Sequence, residues 1–231
     1  MSHDEPLHLR PTAALSERVL LPGDPGRALM LAQAILEEPR MFNHHRGLWG
    51  YTGTAPDGGS LTIQATGIGG PSAAIVLHEL IALGARTAIR VGTCGALAPG
   101  LELGALVIAS EAICADGASR SLGADARAAA DGVLTRALAR AAPQASVGAV
   151  LSVDLFYDAG RRPAGREAIA IEMEAAALFA LGARAGVRVG CALVVSDTFD
   201  SEGRRERIDD EQLLTSAEAM GRAAALALAE S

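Results

Sequence analysis

The sequence predicts an α/β fold, one domain in which strands alternate with helices around a mostly parallel sheet. Two patterns carry that expectation. Short apolar runs recur at 18–21, 60–66, 88–97 and 188–195. Between them lie stretches with helical spacing, at 25–36, 71–83, 131–142 and 211–229. Size agrees: 231 residues, half of them hydrophobic, supply a sizeable core for a single domain spanning 1–231.

Residues 1–17 are polar and proline-broken and read as an N-terminal arm. They show no charged-then-apolar leader pattern. After the strand at 18–21 comes Pro22-Gly23-Asp24-Pro25-Gly26-Arg27. Asp24 is an N-cap and Pro25 occupies the first helical position. A helix N-terminus beside a glycine offers backbone N–H groups to an anion, and Arg27 adds charge one turn in. Residues 41–54 hold His44, His45, Arg46 and several glycines, and read as a hairpin or bent strand pair. Adjacent histidines in a strand point apart, so no metal pair is expected there.

The strand at 60–66 leads through Gly67-Ile68-Gly69-Gly70-Pro71-Ser72 into the helix at 71–83. The stretch 88–97, Ala-Ile-Arg-Val-Gly-Thr-Cys-Gly-Ala-Leu, reads as a buried strand running into a glycine-bent turn. Arg90, Thr93 and the turn's N–H groups then converge on one anion. Residues 103–109 form a strand, and 110–130 read as a surface excursion. A helix at 131–142 and a strand at 146–151 follow. Residues 152–157 form a loop rich in rings and hydroxyls, and 158–166 are rich in Gly, Pro and Arg and expected to be mobile. Residues 169–173 are strand-like and 174–185 an alanine-rich helix. The strand at 188–195 ends at Ser196-Asp197. Residues 198–210 read as a charged loop, and Arg222 marks the last helix as amphipathic. Such sheets bind ligands at the carboxyl ends of strands. Gly23, Thr93 and Asp197 stand just past such ends.

A formal charge of −7 argues against a nucleic-acid partner. All 20 basic residues are arginine. The lack of lysine excludes Schiff-base and P-loop chemistry. Cys94, Cys114 and Cys191 are odd in number and fit neither a disulfide framework nor a metal site. No apolar run is long enough to cross a bilayer. A soluble, reducing, cytoplasmic setting is the expectation.

Arg27, Arg46 and Arg90 stand at ligand-facing turns, with Thr93 and the Gly23 backbone as neutral donors. That set suits phosphate, whose oxygens match the guanidinium fork. In Glu172-Met173-Glu174 a carboxylate at a strand end can grip neighbouring hydroxyls, as on a ribose, although acids also suit a helix start. Asp197 follows an apolar run and reads either as a general acid or as a structural hydrogen-bond partner. Cys94 reads as a small hydrophobe rather than a nucleophile.

These motifs occur in a fixed order. Pro22-Gly23-Asp24-Pro25-x-Arg27, Arg46-Gly47-x-x-Gly50-Tyr51-Thr52-Gly53, Gly67-Ile68-Gly69-x-Pro71-Ser72 and Arg90-Val91-Gly92-Thr93-Cys94-Gly95 come first. Asp154-Leu155-Phe156-Tyr157, Glu172-Met173-Glu174-Ala175-Ala176 and Ser196-Asp197 follow. The series resembles the nucleoside phosphorylase family, most of all its hexameric bacterial purine-specific members, over roughly residues 8–229. The resemblance implies a three-layer α/β/α fold around a mixed, partly barrel-like sheet. It implies phosphate held by Gly23, Arg27, Arg90 and Thr93, with Arg46 completing a neighbouring subunit's phosphate site. It implies Glu174 on the ribose hydroxyls, Met173 and Ile68 against the sugar, and His8 of the neighbour near the 5′-hydroxyl. Phe156, Cys94, Gly95, Ile171 and Ser196 would line the base pocket, and Asp197 would face purine N7. The implied partners are a purine nucleoside and inorganic phosphate, with no metal or organic cofactor. The implied assembly is a homo-oligomer, a dimer at least and a trimer of dimers in full.

One departure stands out. Family members often carry an arginine beyond the aspartate, where ungapped counting here reaches Asp210. Arg204, Arg205 and Arg207 are nearby. Three other readings compete. Uridine phosphorylases resemble this chain but read uracil through a Gln-x-Arg where Gly160-Arg161-Arg162 stands. A nucleoside hydrolase would use water and would not need three arginines together. A non-catalytic nucleoside-binding protein would not need both Asp197 and Glu174.

Overall fold

Strand β1 (Arg18–Leu21) sets the pattern of the sheet: Val19 and Leu21 join one buried cluster and Leu20 the other. That alternation is the mark of a strand covered on both faces. The computed structural model describes residues 6–157, 167–199 and 204–230. The region 158–166, and with it Gly160, Arg161 and Arg162, lies outside the described residues.

After β1 the chain forms α1 (Pro25–Ile35), β2 (Glu37–Asn43), a 3₁₀ turn at His45–Gly47, β3 (Gly50–Thr54) and β4 (Ser60–Gln64). Then come α2 (Gly70–Ala82), β5 (Thr87–Ala96), β6 (Leu106–Ala115), α3 (Gly117–Ser121), β7 (Arg127–Ala129) and α4 (Gly132–Ala141). The remainder is β8 (Ser146–Val153), β9 (Ala168–Glu172), α5 (Ala175–Ala185), β10 (Arg188–Phe199), β11 (Arg205–Arg207) and α6 (Asp210–Ala229). Local chemistry fixes the helix starts. Asp24, Asp131 and Asp209 each accept a hydrogen bond from a first-turn N–H. Gly186 ends α5 in the left-handed conformation, φ 69°.

Two apolar layers sandwich the sheet. Val76, Leu77 and Leu80 of α2 and Leu178 and Phe179 of α5 pack on one face. Leu31 of α1, Leu134 and Leu138 of α4, and Met220 and Leu228 of α6 pack on the other. The three-layer α/β/α arrangement is thus present.

All eleven strands join one sheet. It is mixed rather than mostly parallel: five pairings are parallel and six antiparallel. Periodicity marks strands but carries no direction, so the first expectation fell short while the family resemblance held. The strands β5, β10, β6, β8 and β9 pair in a closed ring, since β5 bonds both β10 and β9. That ring is the barrel-like part.

Four expectations are corrected. Stretch 88–97 contains no glycine-bent turn; β5 runs through Gly92 and Gly95, because β10 pairs with it from Thr87 to Gly95. Cross-strand bonding here outweighs the freedom of glycine. Residues 110–130 are not a surface excursion, since β6 continues to Ala115 and is followed by α3 and β7. Thr93 lies within β5 and Asp197 within β10 rather than past strand ends. Residues 198–210 are not all loop, since β10 runs to Phe199 and Arg205–Arg207 form β11, held by pairing with β10. The N-terminal arm, where described, is tied down. Leu9 is buried in the core, and the Thr12 N–H donates to the Phe42 carbonyl at 2.8 Å.

Candidate active site

The pairing of β5 explains where the site opens. On one edge β1 pairs with it as far as Arg90, and β9 takes over at Gly95. Between them that edge carries no neighbouring strand. A cleft of about 2790 Å³ opens beside it. Every residue expected at the site lines this cleft except His8. Small-molecule pockets commonly span ~300–1,000 Å³, so there is room for two reactants together.

Arg90 lies at the cleft's floor, its side chain only 5% exposed. Its Nε donates to Glu172 Oε2 at 3.1 Å, and its Nη2 to Glu174 Oε2 at 2.5 Å. Gly92 makes this possible, because a Cβ there would sit 2.7 Å from the Arg90 Cζ and Nη2. Burial opposes the charge of Arg90, but Glu174 and Glu172 outweigh it and hold the guanidinium above its ordinary range. Glu172 is pushed up by burial and by Glu174, against the pull of Arg90. The Nη1 of Arg90 is buried and has no hydrogen-bond partner among the described residues.

The sequence shows Glu172 as part of the Glu172-Met173-Glu174 motif without a role of its own, and it gives no sign of Ser152 as its partner. Glu174 occupies the N-cap position of α5, yet its side chain caps nothing. Glu172 does that work, accepting from the N–H groups of Glu174 and Ala175 at 2.9 Å each. Ser152 Oγ donates to Glu172 Oε1 at 2.5 Å and accepts from the Ala176 N–H at 3.0 Å. Glu174 is therefore free to turn into the cleft, where Gly69 N–H reaches its Oε1 at 2.6 Å. Each carboxylate oxygen keeps a second lone pair for a hydroxyl donor. The repeat of glutamate at a strand-to-helix junction was the available signal.

Gly23, Arg27 and Thr93 line the cleft together. Asp24 Oδ1 accepts from the Arg27 N–H at 2.7 Å and so starts α1 there. Burial lowers the Arg27 pKa, Asp24 opposes that, and Arg90 adds to the lowering. Arg27 Nη1, like Arg90 Nη1, is buried without a partner among the described residues. Two cationic nitrogens left open in one cleft suit a multiply charged anion. Arg46 lines the cleft of its own chain, from a left-handed backbone position at φ 58°. Ile68 is 80% exposed at the rim, next to the N-terminus of α2.

A β-bulge orients Asp197. Val195 pairs with Cys94, but Asp197 rather than Ser196 pairs with Gly95. The extra residue turns Asp197 onto the face that strict alternation would have given Ser196. Ser196 Oγ donates to Asp197 Oδ2 at 2.7 Å. Arg205 Nε lies 3.3 Å and Arg207 Nη1 3.7 Å from Asp197 Oδ1. Register explains their presence, since Arg207 sits opposite Asp197 in the β10–β11 pair. Asp210, which counting placed at the arginine position, begins α6 instead. The Arg205 guanidinium also lies over the Phe156 ring at 4.4 Å and near Phe199 at 5.8 Å.

Gly95 forms the wall between Ile171 and Phe199, where a Cβ would approach them at 3.1 and 3.4 Å. Met173 lines the cleft beside Glu174. Cys94 is buried, which pushes its thiol up, so it remains protonated and serves as apolar lining. His8 stands away from this cleft, with its ring Nδ1 2.7 Å from Glu79 Oε1. Among the described residues no cluster of three or more His, Cys, Asp or Glu could hold a metal ion.

The model of the family described as the phosphorylase superfamily matches residues 17–230. A purine nucleoside phosphorylase DeoD-type from Geobacillus kaustophilus is 38% identical over 198 residues, covering 80% of this chain and 83% of that protein. Its namesake from Caldanaerobacter subterraneus subsp. tengcongensis is 38% identical over 197 residues, covering 80% and 84%. Among solved structures, a uridine phosphorylase from Vibrio fischeri superposes with a TM-score of 0.83. It covers 94% of this chain and 93% of its own at 23% identity, a likeness of fold.

Proposed function

The chain belongs to the phosphorylase superfamily, and from that premise we propose that it cleaves purine ribonucleosides or deoxyribonucleosides with inorganic phosphate. The products are a free purine and a (deoxy)ribose 1-phosphate. One observation carries the reading. A single cleft is lined by two arginines that each keep a buried nitrogen without a partner among the described residues, by Glu174, and by an aspartate flanked by Arg205 and Arg207.

Phosphate is held by Arg27 and Arg90 through the nitrogens that lack partners, with Thr93 and the Gly23 backbone beside them. Glu174 accepts from the ribose hydroxyls. The glycosidic bond lengthens first, the sugar gathers positive charge, and the phosphate dianion stabilises it before bonding to C1′. The departing purine takes the bonding electrons and gathers negative charge. Asp197 gives its proton to N7, which contributes roughly 10²–10⁴-fold for a positioned acid. Arg205 and Arg207 then lie against the carboxylate that remains. The two relatives named above are purine nucleoside phosphorylases by name, which supports purine over uracil.

The finer features follow the resemblance. They are a homo-oligomer built on dimers, with Arg46 and His8 reaching a neighbouring site, a place in purine salvage in the cytoplasm, and no cofactor beyond phosphate. The test is to assay inosine, adenosine and uridine with and without phosphate. Inosine or adenosine is expected to turn over only when phosphate is present. Equal turnover in phosphate-free buffer would overturn phosphorolysis, and a preference for uridine would overturn the purine assignment.

A further inference from the structure

Glu79 is a buried carboxylate that the proposed chemistry does not use. It lies on α2, away from the cleft, and is 7% exposed. Its two oxygens gather the backbone N–H groups of three consecutive residues. Leu7 donates to Oε1 at 3.1 Å, His8 to both oxygens at 3.0 Å, and Leu9 to Oε2 at 2.7 Å. The His8 ring Nδ1 completes the set at 2.7 Å from Oε1.

Four donor groups on one carboxylate is far more than holding a loose terminus requires. Burial raises the Glu79 pKa, yet the His8 ring and the three backbone donors outweigh it and keep the group ionised. An ionised carboxylate has only acceptors, so the proton between the two groups belongs to His8 Nδ1. In the neutral ring Nε2 is then a bare acceptor. No described residue hydrogen-bonds to Nε2, and the side chain is 33% exposed. The His8 carbonyl is in turn 3.1 Å from His45 Nδ1, and His45 opens the turn that carries Arg46.

We propose that Glu79 is a positioning residue. It fixes segment 7–9 on α2 and holds His8 as the Nδ1–H tautomer. His8 Nε2 is thereby offered as an acceptor to the 5′-hydroxyl of a nucleoside bound by a neighbouring copy of this chain. The proposal rests on the phosphorolysis reading for its substrate and on the hydrogen bonds above for its mechanism. Glutamine at position 79 cannot substitute. Its amide presents donors where backbone N–H groups or the Nδ1–H now point.

Two measurements test it. The first needs no variant: long-range ¹H–¹⁵N spectra of the intact protein, with His8 assigned by comparison with His8→Gln. Protonated Nδ1 and bare Nε2 are expected; a protonated Nε2 in the neutral ring overturns the proposal. The second compares kcat/KM for inosine and 5′-deoxyinosine. Glu79→Gln is expected to lower the preference for the 5′-hydroxyl about tenfold, as losing one hydrogen bond does. His8→Ala should do the same, and the double variant should lose no more. If Glu79→Gln lowers both substrates by one common factor, its role is only structural and the proposal fails. Should the intact protein show no phosphorolysis, the functional reading fails, and the tautomer still decides whether Glu79 sets His8.

Discussion

Asp197 illustrates how much one residue depends on its neighbours. The sequence shows an aspartate after an apolar run, and its two readings, acid or structural partner, are not separable at that level. The structure supplies a donor from Ser196 on one oxygen and two arginines near the other. An aspartate kept only for structure would be satisfied on both oxygens, whereas Oδ1 accepts no hydrogen bond among the described residues. Asp197→Asn is therefore expected to lower kcat/KM for purine nucleosides by roughly 10²–10⁴-fold. The thermal stabilisation given by added phosphate should stay as in the unaltered protein. Full activity in this variant would remove the acid role. Arg205 and Arg207 were legible only as two of three candidates, because their reach depends on a register that no local pattern encodes.

Elements were legible where their signals are local. Asp24-Pro25 announces α1, and the Glu174 helix ends at Gly186 as its alanine-rich run suggests. What escaped was set by distant partners. The alanine-rich Ala109–Ala115 portion of β6 has weak strand propensity and is held by β8, β7 and, earlier, β10. Likewise the Ser196 bulge exists only in the pairing of β10 with β5. Helix α5 tests this dependence. An added Cβ at Gly182 would lie 2.5 Å from Val189 Cγ2 and 2.9 Å from the Val187 carbonyl oxygen. Alanine gains about 1 kcal/mol of helix propensity over glycine. Overpacking against a strand and a carbonyl costs about 1–3 kcal/mol and wins. Gly182→Ala should lower the thermal midpoint by several degrees, at about 2–4 °C per kcal/mol for a chain of this size. An unchanged midpoint in calorimetry would show that α5 can move away freely.

At the scale of the whole molecule, apolar residues collect around the tied-down arm. Leu7 is 71% exposed and Ile75 42%. Ile75 lies one helical turn before Glu79, which holds Leu7, so these belong to one region of surface. An exposed apolar region there fits the proposed contact between copies of the chain. Sedimentation at assay concentrations should show dimers or larger species, and a fully active monomer would contradict the proposed sharing of Arg46 and His8 between subunits. Closure of the five-strand ring has a consequence for synthesis. β5 is complete by residue 96, but its partner β10 begins at residue 188. For that whole interval of translation the growing chain carries a long apolar strand with an unfilled edge. Such edges recruit other chains. Ribosome-bound fragments ending before β10 would thus be the most dependent on chaperones, and the acid at Asp197 would reach Arg90's strand only as the ring shuts.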